Sequence, residues 1–180
     1  MKNFVRVFLL AVLATGIASC SLLDIERDVE LAATLNIDVV NPVTKSTEGV
    51  EFTEAELVNP RENDVVDEYA HLVENYDVSE IVAVVRSVSE PGVVFLAGST
   101  FAIYQGTTLN ATWTMQTDYP ADVGNIFNMT DLGDAYGVVA DILLTSEPFY
   151  VAAVGETNVG DVSINMEVTI RSTLTANPTN

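Results

Sequence analysis

The chain has 180 residues, 48% of them hydrophobic, and carries 26 Asp+Glu against 7 Lys+Arg, with one His and one Cys. A net charge of −19 sets it against phosphate backbones, so nucleic acid is excluded as a natural partner. One cysteine and one histidine exclude an intrachain disulfide and any zinc site built from Cys and His, while the apolar content is enough for one domain with its own core.

Lys2 and Arg6 open the chain with positive charge. Val7 to Ala18 is then apolar or small, broken only by Gly16, and Ala18-Ser19 precedes Cys20. A charged start, a short apolar run and small residues at the cut form an export signal. The run is shorter than the roughly 20 residues needed to span a bilayer. Ile17-Ala18-Ser19-Cys20 resembles the lipobox of bacterial lipoprotein precursors, with isoleucine where leucine is commoner. The resemblance covers residues 1–20. It implies removal of residues 1–19 and acylation of Cys20 as the new N-terminus, leaving five basic residues against 26 acidic ones, a net −21. Each buried lipid CH₂ contributes about 0.8 kcal/mol, and the two or three chains that such proteins carry make detachment rare. Ser21, rather than aspartate, after the cysteine implies sorting to the outer membrane. The expected partner through the lipid is therefore the membrane.

The division expected of the rest is a tether over 20–29, one domain over 30–175 and a frayed tail over 176–180. Within the tether, acids alternate with Ile25, Arg27 and Val29, which reads either as a solvated spacer or as the start of a strand. Leu31 to Val39 alternates apolar and polar residues with a period of two, the pattern of a strand with one face in a core and one in water. Val50 to Val58 is a weaker strand. Val65, Val66, Tyr69, Leu72, Val73 and Tyr76 recur at helical spacing, which predicts a helix from Asn63 to Tyr76 capped by Asn63. Ile81 to Val88, Val93 to Tyr104 and Leu109 to Gln116 read as an antiparallel meander, joined at Pro91-Gly92 and Gln105-Gly106, with a bend at Gly98. Tyr119 to Asn128 reads as loop, and Asp131 to Ser146 as a second helix. Phe149 to Val154 and Asp161 to Leu174 read as a final strand pair, with Val162, Ile164, Met166, Val168 and Ile170 pointing inward. The fold expected is mainly β: an antiparallel sandwich of about seven strands with two short connecting or capping helices.

No catalytic motif stands out. His71 sits near Asp67 and Glu74, an ordinary spacing for a solvated face. No serine lies in a Gly-x-Ser-x-Gly turn. A hard cation wants six to eight oxygens, and two groups of acids offer carboxylates: Glu62, Asp64, Asp67 and Glu68, and Asp118, Asp122, Asp131 and Asp134. The first is the candidate calcium site, although neither follows a known loop spacing. Trp113, Tyr104 and Tyr119 are candidates for a sugar-stacking platform, with Trp113 expected on the apolar face of its strand. The function expected is a lipid-anchored envelope protein, a non-catalytic binding or structural module with an envelope protein or glycan partner. The alternatives are a calcium- or glycan-binding module and a small hydrolase using paired carboxylates.

Overall fold

The computed structural model describes residues 24–41 and 49–178. Cys20 and the signal expected over residues 1–19 lie outside the described residues. The long strands are β1 (Ile25–Val39), β2 (Val50–Val58), β3 (Val73–Val88), β5 (Thr100–Gln105), β6 (Thr108–Thr114), β9 (Phe149–Thr157) and β10 (Val162–Ala176). Three short ones, β4 (Val94–Phe95), β7 (Tyr119–Pro120) and β8 (Ile126–Asn128), and two helices, α1 (Asp64–Tyr69) and α2 (Ala135–Thr145), complete the described elements with a 3-10 turn at Pro60–Glu62.

The strands form two antiparallel sheets. The first has the order β1-β10-β3-β8. In the second, β2, β9, β5 and β6 pair in that order, and β4 continues β5 along β9 and carries β7. Sequence-distant strands pair in nested fashion: β1 with β10, β2 with β9, β3 with β8, and β5 with β6 at the centre. A hairpin ribbon wrapped in this way into two facing sheets is a jelly roll. The expected antiparallel β-sandwich is therefore what forms.

Alternation dictates which side of each strand is buried. On β10, Val162, Ile164, Met166, Val168 and Ile170 are at most 2% exposed, and Val29 to Val39 on β1 is buried at every second residue. The facing sheet contributes Phe52, Phe95, Phe101, Trp113 and Phe149 to the same core. Each large apolar side chain buried in this way contributes about 1.5–3 kcal/mol, so the described domain coheres without a disulfide.

Four expectations need correcting. The helix of residues 63–76 stops at Tyr69, and β3 begins at Val73. Asn63 does cap it, accepting N–H bonds from Val65 and Val66 at 3.0 and 3.3 Å. Beyond it, the ends of β1 and β10 offer a third place in the sheet, and Tyr76 and Val78 take buried strand positions against β10. Tertiary pairing outweighs the local helical period. The second helix starts at Ala135, because Gly133 and Asp134 both hold positive φ. The stretch 119–128 holds β7 and β8. Finally, neither the meander nor the last strand pair forms as such. β3 and β5 lie in different sheets, as do β9 and β10, because the chain crosses the sandwich between them. Of the expected meander, only the β5–β6 hairpin survives.

β1 starts at Ile25, paired with Ala176, so its alternation up to Val29 is the start of a strand. The first sheet outruns the second at this end. There α1 packs on β1, while α2 packs on β3 and β6. The break between β4 and β5 falls at Gly98, whose φ of +97° is a left-handed value that only glycine takes without strain.

Candidate binding surfaces

The acids of the candidate calcium site do not gather. Glu62 ends the 3-10 turn, where its carboxylate accepts from the Asn59 amide at 3.3 Å. Asp64 and Asp67 lie in the first turn of α1, favourable to its dipole, and Glu68 follows; all four are exposed. In the second group, Asp118 accepts the Ala97 N–H at 2.9 Å and Asp131 the Tyr136 N–H at 2.9 Å. Their oxygens are engaged with backbone rather than converging. Among the described residues, no group of three or more His, Cys, Asp or Glu stands where it could hold a metal ion. His71 is exposed in the turn between α1 and β3, past the helix on which the sequence places it.

The aromatic platform does not form as expected either. Trp113 is 3% exposed and its indole N–H donates to the Thr130 carbonyl at 2.9 Å, so it belongs to the core. Tyr119 packs edge-on against Phe127, with ring centroids 5.8 Å apart. Tyr104 alone lies on an outer face.

That outer face is a feature the sequence reading missed. On β9, Phe149, Val151 and Ala153 enter the core, so Tyr150, Ala152 and Val154 point away from it. The same alternation sends Thr53, Ala55 and Leu57 of β2, and Thr100, Ala102 and Tyr104 of β5, to that side. Register then aligns them into rows across the sheet. Leu57, Tyr150, Tyr104 and Leu109 form one row; Ala55, Ala152, Ala102 and Thr112 the next; Thr53, Val154, Thr100 and Thr114 the third. None of these residues is charged. Leu57 is 49% exposed, Leu109 51%, and Tyr150 and Val154 41% each. Ala102 and Ala152 are shielded, yet neither belongs to the core cluster; they are small residues sunk between larger neighbours. Hydroxyls border the third row, where Thr100 and Thr114 lie 3.2 Å apart, oxygen to oxygen. Glu51 and Glu156 face each other beyond it and close the patch at that end.

The outer face of the first sheet is its opposite. Arg171 bridges Glu30 on β1, at 2.9 Å, and Glu80 on β3. The hydrogen bond to Glu30, then the charge of Glu80, raise its affinity for its proton. Arg86 pairs with Glu167. Asn165 donates to Asn36 at 2.8 Å, and Ser163 to Asp38 at 2.6 Å. Between the two sheets, beside β1 and β2, runs a groove of about 350 Å³ lined by Glu30, Thr34, Glu56, Asn59 and Glu62 among others. Asn63 crosses it to donate to the Glu30 carbonyl at 3.1 Å.

Among the described residues, no helix is long and apolar enough to cross a membrane. No protein-family model matches the chain, and no curated protein matches it. Among solved structures it is similar to the decameric BFDV capsid protein, with 11% identity over 83% of this chain and 99% of that one and a TM-score of 0.46. Desmodium yellow mottle tymovirus gives 11% identity over 85% and 89% of the two chains, and Turnip Yellow Mosaic Virus 7% over 85% and 94%, each at a TM-score of 0.30. Likenesses of this order carry no functional argument.

Proposed function

We propose that this chain is a lipid-anchored module of the bacterial cell envelope, held at the outer membrane through Cys20, whose work is binding rather than catalysis. The lipobox-like string before Cys20 supports the anchor. Since β1 begins at Ile25, the chain from Cys20 to the fold reaches no more than about 18 Å, which keeps the domain close to the membrane surface.

The observation that carries the binding role is the uncharged outer face of the second sheet. In a chain with 26 acidic residues, three rows across four strands hold none. Depletion of charge together with tyrosine is how the centres of recognition surfaces differ from the rest of a surface.

The anchor is tested by Cys20→Ala in the full precursor. We expect the protein to move from the membrane to the soluble fraction, and the mass of lipid chains on the N-terminal peptide to disappear. A variant that stays in the membrane overturns the anchor.

A further inference from the structure

We infer that the uncharged face is a platform for a neutral polysaccharide chain lying across β2, β9, β5 and β6. The inference rests on the binding role above and names its ligand class. Tyr150 and Tyr104 are register partners on adjacent strands, flanked by Leu57 and Leu109. Their rings and alkyl groups make a strip about 14 Å long from three interstrand spacings. Apolar faces of sugar rings stack on such strips, while sugar hydroxyls need donors and acceptors beside them. Thr53, Thr100 and Thr114 supply these on the far side of the alanine row, and Thr112 at the end of that row. Shielded alanines keep the middle of the platform flat, so an extended chain meets no obstruction.

Charge selects the kind of glycan. Among the described residues no cation stands on the face to pair with a uronate or phosphate, and Glu51 and Glu156 at its end repel one. An uncharged chain escapes both effects. Size argues against a second copy of this protein. From strand and residue spacings the face covers about 400 Å², half of the roughly 800 Å² per partner in a stable interface. Two domains of this acidity also repel each other.

The test is affinity electrophoresis of the full acylated protein in neutral detergent, through gels holding dextran, laminarin or mannan as neutral probes and alginate as an anionic one. At least one neutral polysaccharide should retard the protein and alginate should not. Tyr150→Ala should weaken that retardation at least 10-fold, Tyr150→Phe should retain it, and Arg171→Met on the opposite face should leave it unchanged. Retardation that survives both Tyr150→Ala and Tyr104→Ala overturns the site. No retardation by any neutral probe overturns the ligand class. A photo-crosslinker at Ala55 separates that failure from failure of the binding role: capture of an envelope protein, or of a second copy, rejects the glycan while keeping the docking face, and no capture rejects both. None of these outcomes bears on the Cys20 test.

Discussion

The two outer faces of this sandwich are made of the same kind of strand and solve the problem of facing water differently. On the first sheet, Glu30, Arg171 and Glu80 line up across β1, β10 and β3, and Asn36, Asn165, Asp38 and Ser163 pair beside them. Each polar group meets a partner or solvent. On the second sheet, Leu57, Tyr150, Tyr104 and Leu109 fill the equivalent outward positions and no charge interrupts three rows. Net charge is therefore a poor guide to any one surface. The acids crowd the first sheet, the edges and the loops, and they are absent from three rows of the other outer face.

The difference between the faces is open to experiment. The largest effect should come from Gly155→Ala. A Cβ there would meet the Ser99 Cα at 2.7 Å and its side chain closer still, where β9 passes the break between β4 and β5. Overpacking of this kind costs about 1–3 kcal/mol. Hydrogen exchange should quicken in β5 and β9 beneath the uncharged face and stay unchanged in β1 and β10; equal loss in both sheets would show that the faces do not stand on separable supports.

A smaller effect is expected from Arg171→Met, which leaves Glu30 and Glu80 on either side of β10 without their shared cation. Exposed ion pairs are weak, so the melting midpoint should fall by no more than about 3 °C, and the fall should shrink as salt rises. Insensitivity to salt would mean that Arg171 acts by packing its stem rather than by its charge.

The smallest neutral-pH effect should come from Tyr76→Phe, beneath the first sheet. The Tyr76 hydroxyl is buried without a hydrogen-bond partner among the described residues, so its removal should change stability by less than about 1 kcal/mol, in the stabilising direction if at all. Burial pushes the phenol up to about 12 from an ordinary 10.0. The folded state thus favours the neutral ring, and its contribution is complete below pH 10 and lost as pH rises from there toward 12. Alkaline unfolding should be delayed in the Phe variant; identical alkaline midpoints would refute the assignment.

Much of the fold is legible in the residues themselves. Leu31 to Val39 and Val162 to Ile170 alternate so regularly that only one register buries every large apolar side chain, because a slip by one residue turns the whole strand over. Asn63 is legible as a cap because a short side-chain oxygen ahead of an apolar period has one good use. The stretch from Leu72 to Tyr76 misleads for an equally physical reason. Its apolar residues fit a helix locally, and only the free edge of β10, nearly a hundred residues away in the chain, turns them into strand. The uncharged face is less legible still. Tyr104 is a candidate from its residue type, but Tyr150 becomes its neighbour only through the pairing of β5 with β9, and Trp113 leaves the group because its strand turns it inward.

The sequence by itself determines the class of the fold, through period-two alternation and turns, and it holds the lipobox-like string before Cys20 on which the proposed address rests. Both are local: a signal is read in line, and a strand's buried side is set by its own residues. Tertiary structure alone decides the nested pairing of β1 with β10 and β2 with β9, the dispersal of Glu62, Asp64, Asp67 and Glu68 along solvent-facing turns, and the alignment of Leu57, Tyr150, Tyr104 and Leu109 into one row. These depend on register between strands far apart in the chain, which burial of the shared core fixes and no short stretch of sequence contains.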